Sequence, residues 1–337
     1  MSAHTAQLKG HLTEEARARI QRRTVLALML AQVAGGVGMG SMLAVGALIA
    51  LELTGSDAWS GAATTMITLG AAVFALPLAS LAARHGRRPG LTAGWVLGVL
   101  GGTVAITATM LGTFALFLVG MVLIGAGTAT NLQARHAAAD LASDENRGRD
   151  LSIVVWATTV GSVLGPNLIA PSGRVAALLG LPELLGPVLF TTAGFSLGAV
   201  LTFVLLRPDP LVTAVAARPR DGGTPKARLS VFGALRVIGS VPRALLAVVG
   251  IVASHTIMVG VMTMTPVHMS HHGSALTVIG LTISLHIAGM YALSPVVGWL
   301  TDRFGRVSML MTGQVVLVVS AAVAGTAGDD EVLVTVG

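Results

Sequence analysis

The sequence predicts an all-α polytopic membrane protein, with a six-helix N-terminal bundle followed by an incomplete second bundle. Three observations predict it. The chain of 337 residues is 53% hydrophobic and only 11% charged, with a mean hydropathy of +0.81, which is too little charge to cover a soluble surface. Nine apolar runs, near 24–53, 59–82, 90–111, 113–137, 151–172, 184–206, 244–268, 275–301 and 307–327, meet the roughly 20 residues needed to cross a bilayer core. Of the 21 Lys and Arg residues, 20 fall in the N-terminal tail or in loops after even-numbered runs, and Arg174 is the exception. Nothing alternates with the period of two that marks a β-barrel.

The charge pattern orders the chain. Basic loops stay on the cytoplasmic side, so the N-terminus and every even loop are expected there, in a multi-pass protein of the cell membrane. The tail, 1–23, contains "TEEARARIQRR", a short helix in which Thr13 can cap the start and Glu14 and Glu15 meet its positive end. The six-span bundle covers 24–206 and a cytoplasmic linker covers 207–243. The linker begins with Pro, Gly and charge and ends in "LSVFGALRVIGSV", which suits a short interfacial helix with Arg236 toward the headgroups. A partial second bundle occupies 244–337. A tenth apolar run starts after "DDE" and stops after six residues, so the sequence is expected to continue beyond Gly337. The Lys-poor, Ala/Gly/Arg-rich composition suits a bacterium with a GC-rich genome.

The net charge of +6 is accounted for by the loops, so no nucleic-acid partner is expected. No P-loop is present, which disfavours ATP as an energy source, and no nucleophile–base pair or zinc-protease motif suggests an enzyme. The absence of cysteine says nothing about compartment.

Two charged stretches break the apolar pattern. "GWLTDRFGRV" at 298–307 follows the second span of the second block, and "ASLAARHGRRPG" at 79–90 follows the second span of the first. Gly86 and Gly305 hold the same place in each, 219 residues apart, as in a duplicated transporter half. Gly298, Asp302, Arg303, Gly305 and Arg306 resemble, at every defined position, the loop signature Gly-x-x-x-Asp-Arg/Lys-x-Gly-Arg of the major facilitator superfamily. The resemblance implies a charge-relay clasp at a cytoplasmic gate. In the first copy Ala79 and Ala83 replace the glycine and the acid, while Arg84, Gly86, Arg87 and Arg88 remain.

Further resemblances lie in spans 4 and 5. "GSVLGPN" places Gly161, Gly165 and Pro166 as in the family's fifth-helix signature, associated with its drug–proton antiporter branch; Ile169 and Ala170 stand where the fuller motif has glycines. A helix-packing seam is the alternative reading of these small residues, and Pro166 is expected to bend the helix. "MVLIGAGTAT" keeps the glycine rhythm of the fourth-helix signature, with Met121 and Ile124 replacing its arginine and glutamine. Arg135, Asp140, Arg147 and Arg149 are expected at the cytoplasmic rim.

No Asp, Glu, Lys or Arg lies near the centre of a span, which leaves His255 in span 7 and His286 in span 8 as proton-path candidates. Met258 and Met262 flank Gly260 in span 7, and flexible thioethers suit varied apolar ligands. Gln32, Trp156, Thr158, Thr159, Ser284 and Tyr291 are the other polar candidates for a midplane path. His268, His271 and His272 share a helical spacing but lack a nearby carboxylate or cysteine in sequence, so no metal site is expected.

The expected function is secondary active transport by alternating access. An ion gradient, of protons, would drive export of a small amphipathic or drug-like molecule, with no cofactor and a monomeric state. Two alternatives stay open: metabolite uptake by symport or facilitation, and a non-transporting remnant or membrane interaction protein.

Overall fold

A computed structural model describes residues 13–143, 146–217 and 231–326. Among the described residues every regular element is helical. In order these are α1 (Glu14–Thr54), α2 (Ala62–His85), α3 (Arg87–Met110), α4 (Phe114–Ala139), α5 (Arg147–Asn167), α6 (Ile169–Leu178), α7 (Gly186–Leu205) and α8 (Pro210–Ala217). They continue as α9 (Val231–Ser240), α10 (Pro242–His271), α11 (Leu276–Ala292), α12 (Ser294–Phe304) and α13 (Arg306–Thr326). The tenth apolar run lies outside the described residues.

The helix expected over 13–23 is continuous with the first span. Thr13 caps it, its side chain accepting from the Ala16 N–H at 3.3 Å, and nothing interrupts the next 41 residues. At about 1.5 Å per residue that helix is roughly 60 Å long, so one end projects well past a bilayer core. In the expected linker, α8 and the amphipathic α9 are helical.

Nine spans were expected, and the count differs. Among the described residues seven helical segments are long and apolar enough to cross a membrane, and the bent pair α5–α6 makes an eighth. The difference is the run 275–301, which is two helices, α11 and α12, broken at Leu293. Pro295 sits in the first turn of α12 and has no N–H to carry the α11 hydrogen-bond ladder onward. Pro166 acts similarly in span 5, where α5 and α6 meet at 59°. There the Leu168 N–H bonds the Gly165 carbonyl at 3.0 Å, one residue tighter than an α-helical bond.

The chain divides into two compact units. Of the described residues, one comprises those from 13 to 217 with 266–291, and the other 231–265 with 292–326. In the first, α1 runs between α5 and α7, while α4 packs on α2 and α3. Its aromatic centre is Trp95 on Phe195, both essentially inaccessible, with ring centroids 5.3 Å apart. In the second, Leu310 of α13 packs at Gly250 of α10, and Gln314 donates to the Ser254 hydroxyl.

The α1–α5 contact is the closest kind available to helices. A Cβ on Gly161 would lie 2.2 Å from the Val33 carbonyl oxygen, and one on Gly165 would lie 2.5 Å from that of Val37. Gly36 and Gly40 face the Thr158 and Ser162 carbonyls at 2.6 and 2.4 Å in the same sense. Because those obstacles are backbone, a methyl there must push the helices apart. Gly161→Ala is expected to cost roughly 1–3 kcal/mol and to lower the unfolding temperature of the purified protein. Gly289→Ala, where a Cβ meets nothing within 4 Å, should leave that temperature unchanged or raise it. Equal effects at both sites would sink the close-packing argument.

Candidate functional site

The first charged loop joins α2 to α3 through Gly86, which caps both helices at φ 103° and ψ 167°. Gly305 joins α12 to α13 at φ 86° and ψ 152°, with its N–H on the Thr301 carbonyl just as that of Gly86 bonds Ala82. A side chain is strained at such positive φ, so glycine is the residue that lets a helix end and restart within one position. The two members of the sequence repeat thus share one backbone turn.

Their surroundings differ. Arg87 makes a bidentate pair with Asp140 at the end of α4, Nε to Oδ2 at 2.7 Å and Nη2 to Oδ1 at 3.1 Å, with both side chains under a fifth exposed. Such a fork holds geometry as well as charge. Asp209 sits against Gly86, where a Cβ would approach its Oδ2 to 2.5 Å. Its carboxylate accepts from the Arg88 N–H at 2.7 Å and from the Leu211 and Val212 N–H groups at 3.0 and 3.2 Å. One acid therefore caps the starts of both α3 and α8, where helix dipoles favour negative charge. The Arg88 side chain bonds the Phe203 carbonyl at 2.8 Å and lies 4.3 Å over the Phe203 ring. Arg84 is exposed.

More links close this end of the bundle. Arg17 of α1 donates to the Leu141 and Ala142 carbonyls, both at 2.9 Å. Gln21 reaches the Ala138 carbonyl at 2.7 Å and Asp150 at 2.6 Å. In the second copy Arg303 and Arg306 are exposed, and the Arg303 guanidinium lies 5.7 Å from the Phe304 ring centroid. The side chain of Asp302 and the surroundings of Gly298 lie outside what is described.

Within the apolar interior of the first unit, Gln32 is 1% exposed. It donates to the Thr158 hydroxyl at 3.1 Å and the Asn131 carbonyl at 3.4 Å, and Thr158 stands 3.5 Å from the Asn131 side-chain oxygen. Beside it, the Thr128 hydroxyl meets the Met39 sulfur at 3.6 Å. Sequence reading missed Asn131 and Met39. The signal for Asn131 was an amide inside an apolar run, one turn before Arg135. At the α5–α6 bend Asn167 donates to Ser284 of α11 at 2.6 Å and to the Val163 carbonyl at 2.9 Å, and the Ser284 hydroxyl bonds that same carbonyl. The α11 backbone comes so close that a Cβ on Gly280 would lie 2.3 Å from the Pro166 oxygen.

The remaining candidates are scattered. His286 and Tyr291 belong to the first unit; His286 is half-buried, and its Nε2 is buried without a hydrogen-bond partner. His255, Met258 and Met262 belong to the second unit, where His255 is exposed and Met262 buried. Trp156 is 67% exposed on α5, off the Gln32 network. At the opposite end, His271 Nε2 lies 3.4 Å from Asp57 Oδ1, and the His272 ring bonds the His268 carbonyl. Among the described residues no group of three metal-ligating side chains comes together.

The Arg87–Asp140 pair gives a sharp expectation. In a double-mutant cycle of Arg87→Ala and Asp140→Ala, unfolding free energies should show a coupling of about 1 kcal/mol, as for partly buried groups in direct contact. A coupling indistinguishable from zero would mean the pair holds nothing in place.

Comparison with known proteins places this geometry. The model of the Major Facilitator Superfamily matches residues 26–336. The uncharacterized MFS-type transporter YddS of Bacillus subtilis (strain 168) is 37% identical over 326 residues, covering 96% of this chain and 74% of that protein. The riboflavin transporter RfnT of Brucella anthropi is 28% identical over 315 residues, covering 90% of this chain and 73% of its own length. Among solved structures, a bacterial homologue of the human lysosomal transporter Spinster, inward-facing and unoccupied, superposes with a TM-score of 0.58 at 17% identity. That match covers 85% of this chain and 63% of the other. The repeated helix–glycine–helix turn, the apolar helices and these matches have one explanation: the chain belongs to the Major Facilitator Superfamily and is a multi-pass membrane transport protein, not an enzyme.

Proposed function

We propose that this protein exports a small amphipathic or drug-like molecule in exchange for protons, by alternating access across the cell membrane with its N-terminus in the cytoplasm. The observation that carries the reading is the bent, glycine-lined fifth span. Gly161 and Gly165 press on the α1 backbone, Pro166 precedes a 59° bend, and this is where the sequence resembles the antiporter branch. The basic tail and loops support the orientation under the positive-inside rule. His286, with its unpartnered Nε2, is the proton-exchanging candidate in the first unit and His255 in the second. Gln32, Asn131 and Thr158 offer hydrogen bonds to a ligand in an otherwise apolar bundle, and Met258, Met262, Trp156 and Tyr291 are the further candidates for the path. The loop residues Gly298, Asp302, Arg303, Gly305 and Arg306, with Arg84, Gly86, Arg87 and Arg88, would form the latch of the cytoplasmic gate.

Uptake of a metabolite is the second reading, and the 28% identity to a riboflavin transporter favours a metabolite as the substrate. One experiment separates the two. Proteoliposomes of the full chain are given a pH gradient, with radiolabelled riboflavin or a panel of neutral aromatic amphiphiles outside. Accumulation with an acidic lumen is the result expected of antiport, whichever way the protein is inserted. Accumulation only with an acidic exterior would establish symport and uptake. No gradient-driven flux of either sign removes proton coupling. With the acidic lumen, His286→Gln should cut gradient-driven accumulation by about a hundredfold, the low end for losing a positioned proton-transfer group, while counterflow without a gradient persists.

A further inference from the structure

We infer that Arg135 is an anion-recognising residue of the transport path, so that the transported compounds include aromatic amphiphiles bearing a carboxylate or a similar anionic group. This deepens the transport reading above and rests on it for the path itself.

Arg135 lies near the end of a run that the sequence assigns to a membrane span, and there only its charge was legible. The structure shows it half-buried, with its Nε buried and without a hydrogen-bond partner. The other interior arginines at this end are engaged: Arg87 holds Asp140, Arg17 holds two carbonyls and Arg88 holds Phe203. An arginine donor withdrawn from water without an acceptor is costly, and a bound anion would remove that cost.

Its placement fits a ligand. On α4, residues 128, 131, 132 and 135 share one helical face by their spacing. Thr128 turns to Met39, and Asn131 joins the Gln32–Thr158 network. Leu132, between them, is 51% exposed, so that face is not sealed by the first unit. Arg135 stands one turn, about 6 Å, from Asn131 toward the arginine-rich end of the bundle. A cationic fork next to uncharged hydrogen-bonding groups and an open apolar side chain is the chemistry that holds an amphiphile by its acidic end.

The test compares two probes of one shape and different charge, radiolabelled 2-naphthoate and 2-naphthamide. Equilibrium binding is measured on the full chain in a non-ionic detergent near neutral pH. The wild type should favour naphthoate by at least about tenfold. Arg135→Gln should abolish that preference and leave naphthamide binding unchanged. A second variant guards against misfolding: Leu132→Glu places a carboxylate on the same face, one turn from Arg135, at an exposed position, and should also remove the preference. No preference in the wild type, including no binding of either probe, overturns the inference, as does a preference that survives either substitution. The proteoliposome experiment is independent. Gradient-driven flux of neutral compounds without a naphthoate preference would leave export standing and this inference refuted. The reverse pattern would do the opposite.

Discussion

Backbone-to-backbone contact between α1 and α5 is the constraint on which the first unit depends. In a bilayer, lipid tails are as apolar as leucine, so burying apolar surface does little to drive helices together. Dispersion contacts must do that work, and they are strongest when main chains touch. Gly36, Gly40, Gly161 and Gly165 bring the two helices to that limit. Further groups then come within reach of each other. Ser41 bonds the Gly165 carbonyl at 2.9 Å, and Gln32 reaches Thr158.

The same closeness explains where the polar groups can be. A chain with no Asp, Glu, Lys or Arg at mid-span still holds an amide network there, in which Gln32 bonds Asn131 and Thr158. The arginines gather at one end, where two acids do more than balance a base. Asp140 fixes the fork of Arg87 while Asp209 ties the starts of two helices. The loop that lost its own acid at Ala83 is thus held by acids supplied from α4 and from the segment after α7.

The two repeat loops show how far duplication constrains structure. Gly86 and Gly305 make the same turn because each must end one helix and begin the next within a single residue. Around that turn the copies differ: in the first Arg87 and Arg88 are half-buried and held by Asp140 and Asp209, while in the second Arg303 and Arg306 are exposed. Backbone geometry survives because only glycine tolerates it, whereas an ion pair can be rebuilt from any acid that comes near.

Much was legible in the sequence because it depends on local properties. Apolar run length marks the spans, basic loops order them, and a glycine between charged residues marks the turn. Pro166 announced its bend for the same reason, since a missing N–H is a property of one residue. The break at Leu293 was missed although Pro295 was in plain view, because the run read as uniformly apolar and hydropathy does not register a lost donor. The site was less legible. Asp140 lies 53 residues from Arg87, and Asp209 lies 121 from Arg88 in what reads as a linker. His255 and His286 look alike in sequence, yet one is exposed and the other carries a buried nitrogen. The sequence by itself determined which segments are apolar and helical, because that choice depends on each residue's own hydropathy and backbone chemistry. Only the tertiary structure decided which acid meets which arginine and which polar groups share a face, because those distances are set by how the helices pack.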